Sequence, residues 1–266
     1  MKHTVRLLTS AAVVFCLLAS AGCVAQEDVS KEVVMDDIFS SIGARLDDAA
    51  ADMKTASGQI ASGKRSGDEA ERVLAGLFQN ASLAQSILYA DKNLIVAAAY
   101  PDIVKDAVGS DQHVYGTDET YFSGRGVRLT DCLPLEDGTN NCVLAMPVYN
   151  QERKFDGYIS MAFNTFRLLD SINTNIKNKY GHEFYVVQED GTQIYDPDMD
   201  EVGMNILSDS LYAAADVKTA AEAICRDRSG TAVYSFAGTN TTDVIEKHVY
   251  WDTFSYGGQN WRIVLA

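Results

Sequence analysis

The chain has 266 residues, 47% of them hydrophobic, and a formal net charge of −15 at pH 7. That length allows one large domain or two small ones with a real core. So acidic a surface repels nucleic acid and anionic headgroups, which excludes both as partners.

The first 22 residues read as a leader. Lys2 and Arg6 come first with no acid, Ala11 to Leu18 is a short apolar run, and Ala19-Ser20-Ala21-Gly22 precede Cys23. Basic, apolar and small regions in that order make a secretory signal. The apolar run falls short of the ~20 residues that span a bilayer. A cysteine directly after the small residues resembles a lipobox, with Ser20 where that motif usually carries Leu, and this implies lipidation of Cys23. The expectation is a lipoprotein signal peptide over 1–22 and a polar tether over 23–29. No long apolar run follows, so a lipid on Cys23 would be the only membrane anchor of an extracytoplasmic protein. Of the other cysteines, Cys132 and Cys142 flank a turn-rich loop, and a disulfide between them suits an oxidising compartment; two free thiols are the alternative. Cys225 is then expected unpaired and buried.

From Ser30 to Ile60 the pattern is helical, with Ile38, Ile42, Ala49, Met53, Ala56 and Ile60 at steps of three, four or seven. Gly58, Gly63 and Gly67 mark a break before a second helix at about 68–79. The expected N-terminal helical region is 30–79. Beyond residue 84 the texture turns to strands. Ser86–Ala90 and Leu94–Ala98 bracket Asp91-Lys92-Asn93 as a hairpin. Strands follow at 127–132, 142–149 and 157–163, then a helix at 166–179. A second hairpin, 183–188 with 192–195, surrounds Glu189-Asp190-Gly191. A helix at 211–225 and strands at 230–236, 247–254 and 261–266 close the chain. Tyr100-Pro101-Asp102 then Val108-Gly109, and Tyr195-Asp196-Pro197-Asp198 then Val202-Gly203, form a weak repeat. Two similar α+β modules after a long helix are the simplest account.

This order resembles a double Cache domain, the extracytoplasmic sensor of many prokaryotic chemoreceptors and sensor kinases. The resemblance spans roughly 30–266. It is carried by Ala145-Met146-Pro147-Val148-Tyr149 with Phe155-Asp156-Gly157-Tyr158-Ile159, by Phe184–Val187 with Glu189-Asp190-Gly191-Thr192-Gln193-Ile194 and Val202-Gly203-Met204-Asn205, and by Gly257-Gly258-Gln259-Asn260-Trp261-Arg262-Ile263-Val264. It implies an α+β fold: a long N-terminal helix, then two PAS-like modules with antiparallel sheets. The membrane-distal module would cover 80–165, the membrane-proximal one 166–266. The distal module usually holds the ligand.

Catalytic and cofactor chemistry finds little support, and no cofactor, metal or catalytic residue is expected. Gly58 to Lys64 has phosphate-loop spacing, but Arg65 stands where Ser or Thr should hold magnesium. Asp196-Pro197-Asp198-Met199-Asp200 begins like a calcium loop, but Glu201 replaces the glycine and Leu207 the closing Glu, so it reads as a solvated turn. His113, His182 and His248 are isolated, and no nucleophile elbow appears.

The better candidate is the polar and aromatic stretch of the distal module. Arg125 could hold a carboxylate through two hydrogen bonds. Tyr121, Tyr149 and Tyr115 could supply walls and hydroxyls. The amino-acid-binding subgroup of the resembled family has a tyrosine, an arginine followed by aromatics, and an aspartate on the last strand. Here Tyr121 and Arg125 match, Gly126-Val127-Arg128 replaces the aromatics, and Ala162-Phe163 lies where the aspartate is expected. That points to a small organic ligand without an ammonium group, a carboxylate. The expected function is a sensor lipoprotein without its own transmitter, passing occupancy to a membrane receptor, sensor kinase or transporter. The alternatives are a structural or adhesive surface lipoprotein with no small ligand, and an extracytoplasmic hydrolase.

Overall fold

The computed structural model describes residues 29–63, 67–113, 120–122, 126–134, 140–237 and 243–266. The leader, Cys23, Lys64, Arg65, Tyr115 and Arg125 lie outside the described residues.

Helix α1 (Lys31–Ala61) places the apolar stripe on one face: Val34, Ile38, Ile42, Leu46, Met53 and Ile60 are fully buried. Thirty-one residues at 1.5 Å each make a rod about 46 Å long, long enough to underlie two modules. Helix α2 (Gly67–Asn80) returns along it and buries Ala70, Val73, Leu74 and Leu77.

The first sheet contains β1 (Ala84–Asp91), β2 (Val96–Tyr100), β3 (Arg128–Leu129), β5 (Asn140–Tyr149) and β6 (Phe155–Asn164) in the order β2-β1-β6-β5-β3, with β4 (Leu133–Pro134) beside β5. After α3 (Thr165–Tyr180) the second sheet repeats the arrangement. Its strands are β7 (Phe184–Gln188), β8 (Gln193–Tyr195), β9 (Gly230–Phe236), β10 (Ile245–Tyr256) and β11 (Gln259–Leu265), ordered β8-β7-β11-β10-β9, with α4 (Ala215–Arg226) between β8 and β9. All the described pairings are antiparallel. The expected strand at 127–132 is shorter. It stops at Leu129, and Cys132 donates its amide to the Gln188 side chain at 2.7 Å. The helix expected from 211 starts at Ala215, after a 3-10 turn at Ser210–Tyr212.

The repeat is real at the level of hydrogen bonds. Val96 donates to Ser110 and accepts from Gly109, while Gln193 donates to Met204 and accepts from Gly203. The next bridge in each copy pairs Ile95 with Asp111 and Thr192 with Asn205. Gly109 and Gly203 share φ = 89°, a conformation that excludes most side chains.

One continuous core runs beneath both sheets. It joins the α1 stripe to Ile87, Leu144 and Phe163 of the first sheet and to Phe184, Trp261 and Ile263 of the second. The opposite face of each sheet is covered separately, by the segment between β2 and β3 in the first module and by α4 in the second. The Cys132–Cys142 disulfide forms, and Cys225 is a half-buried free thiol.

Candidate ligand-binding site

Strand register decides which side chains face outward from the first sheet. Ala90 pairs with Tyr158, Leu88 and Ala145 both pair with Ser160, and Arg128 pairs with Ala145. Partners across an antiparallel ladder share a face. Ala90, Ala145, Ser160, Tyr158 and Arg128 therefore lie on the side away from α1. Small residues form a floor there, and Tyr158 and Arg128 stand at its sides.

Above that floor the β2–β3 segment supplies an aromatic wall. Phe122 is fully buried, stacks on Phe155 at 5.9 Å and lies 5.5 Å from Tyr158. Tyr121 meets Phe122 edge-on at 5.0 Å, and the Arg128 guanidinium lies over the Tyr121 ring at 5.2 Å. Burial raises the Tyr121 phenol above its ordinary pKa, partly offset by the Arg128 charge. The Tyr149 hydroxyl donates to the Phe122 carbonyl at 3.4 Å, and its ring meets Phe155 edge-on. The buried Arg128 Nε has no acceptor among the described residues. A buried donor of that kind is uncommon in a folded protein and fits a group that a ligand completes.

Of the four residues expected at this site, Tyr121 and Tyr149 come together around Phe122, while Tyr115 and Arg125 lie outside the described residues. Sequence reasoning placed the guanidinium at Arg125. The register puts Arg128, from the same stretch, on the outward face. Tyr158 and Phe155 were part of a turn-and-strand motif, and nothing in their spacing marked them as wall residues.

A cavity lies in the proximal module, and here the sequence reading needs correction. Asp196 is no solvated turn residue: it is 9% exposed, and Glu201 is 5% exposed. Residue 196 follows β8, and the chain then folds back through a 3-10 turn at Met199–Glu201. That reversal turns both carboxylates inward beneath α4. They join a chain of hydrogen bonds. Gln193 donates to Asp196 at 2.6 Å, and the Tyr212 hydroxyl lies 3.1 Å from Gln193 Oε1 and 2.9 Å from Glu201 Oε2. The Tyr185 and Tyr234 hydroxyls pair at 3.2 Å nearby. These groups surround a space of about 30 Å³, enough for one water-sized group. Burial pushes the Asp196 carboxyl up to about 7, against the pull of the Asp198 amide, and burial also raises Glu201. Among the described residues no group of three His, Cys, Asp or Glu side chains is placed to hold a metal, and no helix is long and apolar enough to cross a membrane.

Residues 44–165 match the family described as HK/GC/Chemotaxis protein-like, sensor domain. No curated protein matches the chain in sequence. Among solved structures it is similar to an extracellular ligand binding receptor from Desulfohalobium retbaense, at 20% identity and TM-score 0.68 over 88% of this chain. It spans 39% of that receptor's length. It is also similar to the ligand-binding domain of the Pseudomonas aeruginosa amino acid chemoreceptor PctC in complex with GABA, at 14% identity and TM-score 0.60, covering 88% of this chain and 96% of that one. The periplasmic sensory domain of the Campylobacter jejuni chemoreceptor Tlp1 aligns at 13% identity and TM-score 0.55, over 88% and 90%. At such identities the likeness is one of fold, and function must be argued from the sites. The chain has the double Cache fold, two PAS-like modules on one long helix, and residues 44–165 carry its match to the chemotaxis-type sensor-domain family.

Proposed function

We propose that this protein is an extracytoplasmic, non-enzymatic sensor that binds a small organic carboxylate in its distal module and passes occupancy to a membrane receptor, kinase or transporter. The observation that carries the reading is Arg128. It lies in register with the small-residue floor and over Tyr121, and its buried Nε is left without an acceptor among the described residues. A guanidinium binds a carboxylate through two parallel hydrogen bonds, and the Phe122–Tyr158 wall suits a short apolar body. Arg125 and Tyr115 of the covering segment are proposed to complete the site. The leader and Cys23 support secretion and lipid anchoring; Cys23→Ser is expected to move the protein from the membrane to the soluble fraction.

The test is a thermal-shift screen of the full chain with small mono- and dicarboxylates. A ligand at one hundred times its dissociation constant should add about 2.7 kcal/mol of stability. Arg128→Ala should abolish that shift while leaving the unliganded melting point nearly unchanged, with Arg125→Ala weakening it. A carboxylate that binds Arg128→Ala with native affinity overturns the assignment. Silence across the screen favours a structural or adhesive lipoprotein instead.

A further inference from the structure

The proximal cavity is not sealed. Tyr185, Asp196, Glu201, Phe236 and Lys247 line both it and an open cleft of about 760 Å³ beside it. The cleft adds Glu183, Asp198, Asp243 and Glu246, with His248 at its edge. Glu183 is already paired with Lys177, and Glu246 with His248. The acidic lining as a whole gives the entrance a negative field that concentrates cations.

Charge alone does not select a ligand; the walls of this cavity do. Phe236 stacks flat on Tyr212, with ring centroids 5.6 Å apart and planes 3° from parallel, and Tyr234 stands edge-on to it at 6.3 Å. The Lys247 ammonium lies over the Phe236 ring, 5.0 Å from its centroid. Its charge acts on both buried carboxylates, opposing the rise in their pKa. Yet among the described residues no carboxylate oxygen comes within salt-bridge distance of it. Lys247 is half-buried on β10 opposite Tyr234, on a flexible stem that can swing outward. The chain thus already seats one primary ammonium on an aromatic face beside two buried carboxylates, and holds it there without a direct ion pair.

We propose that this cavity and its cleft form a second ligand site, for a small aliphatic amine bound as its ammonium. The incoming ammonium displaces the Lys247 head group from the Phe236 face and pairs with Asp196 and Glu201. Cation–π attraction and charge-assisted hydrogen bonds act together there. The enclosed space admits only the ammonium head, so the alkyl chain lies in the cleft. The second ammonium of a diamine would fall among Asp198 and Asp243. An anion is excluded by the two carboxylates. This site is independent of the distal reading: it lies in the other module and takes the opposite charge.

The test is calorimetric titration of the full chain with methylammonium and with putrescine, at matched ionic strength. Glu201→Gln and Asp196→Asn are expected to weaken binding at least about tenfold while melting cooperatively. Lys247→Met, which removes the competing ammonium, is expected to tighten it by a similar factor. Glu152→Gln, a distant exposed carboxylate paired with Lys154, should leave it unchanged. If Asp196→Asn fails to fold, Glu201→Gln and Lys247→Met decide. The proposal is overturned if neither amine binds the native chain or Lys247→Met at about 10 mM, a concentration that would reveal even millimolar affinity. It is equally overturned if Glu201→Gln binds with native affinity, if Lys247→Met binds more weakly, or if Glu152→Gln weakens binding as much as Glu201→Gln.

Discussion

Asp196 illustrates how far one residue's chemistry depends on the fold around it. In the unfolded chain its carboxyl titrates near 3.8, and in the folded protein near 7. Burial is the main cause. Glu201 and Asp198 add to the rise, the Asp198 amide and Lys247 oppose it, and Tyr185, Tyr212 and Tyr234 complete the surroundings. The folded state therefore binds this proton more tightly than the unfolded state does. The resulting stability is fully present below about pH 4 and is lost as pH rises through about 7. Asp196→Asn keeps the shape and abolishes the titration, and the Gln193 amide can flip to accept from the new NH₂ group. Melting temperatures measured from pH 4 to 8 should fall more steeply for the native protein than for Asp196→Asn. Parallel curves would show that Asp196 ionises normally. In the sequence this residue looked like one of three alternating turn acids. Nothing in that spacing reveals which of them the following reversal turns inward. Cys225 is unpaired as its isolation suggested but half-buried rather than fully buried, and that burial pushes its thiol up to about 11, which keeps it unreactive at neutral pH.

At the scale of elements, α4 is held to the proximal sheet by a device that its own pattern does not show. Arg262 on β11 is 2% exposed. Its Nε donates to the carbonyls of Ile224 and Asp227, each at 3.1 Å, and its Nη2 reaches Glu189 Oε1 at 3.1 Å. It satisfies carbonyls that the end of a helix leaves open. Arg262→Met fills the space but abandons those acceptors, so it should cost about 2–3 kcal/mol. Urea denaturation would measure it, and a loss under 0.5 kcal/mol, the scale of an ordinary surface change, would show that water caps α4 equally well. The α1 stripe, by contrast, was legible from Ile38 to Ile60, because a period of 3.6 over thirty residues has few readings. The hairpins were legible from Asp91-Lys92-Asn93 and Glu189-Asp190-Gly191. Asp91 Oδ1 accepts from the amides of Asn93 and Ile95, and Asp190 Oδ1 from that of Thr192, the local bonding that favours Asp in turns. Strand ends were less legible, since β3 stops where a tertiary contact to Gln188 takes over the backbone.

For the whole molecule, hydrogen bonds among the described residues join the two modules besides the shared helix, including one from the Asn140 side chain to the Gln193 carbonyl. Gln188, 5% exposed, accepts from the Cys132 amide and donates to the Cys132 carbonyl. The Thr165 hydroxyl donates to Ile194, with Asn140 also within reach. Leu129 donates its amide to the Gly257 carbonyl at 3.0 Å. Gly257 has φ = 57°, and a Cβ there would lie 2.5 Å from the Leu129 nitrogen. Gly257→Ala must therefore push the β10–β11 turn away from β3. Because β3 also carries Arg128, the substitution should both destabilise the protein, by about 2 kcal/mol, and weaken carboxylate binding at the distal site. Unchanged ligand affinity in a destabilised Gly257→Ala would show that the two modules are mechanically separate.

The sequence by itself determined the long helix, the order of the strands along the chain and the two-module repeat, and it put Cys132 and Cys142 close enough to bridge, with the choice between bridge and free thiols left to the structure. Each of these follows from local periodicity, turn chemistry or short spacing, which the unfolded chain already contains. Only the tertiary structure decided that Arg128 shares a sheet face with Ala145 and Tyr158, that Arg262 closes α4, and that Asp196, Glu201 and Tyr212 converge under that helix. Those placements depend on strand register and on which face of each sheet is covered. Both are set by packing between segments far apart in the chain, where no local pattern records the partner.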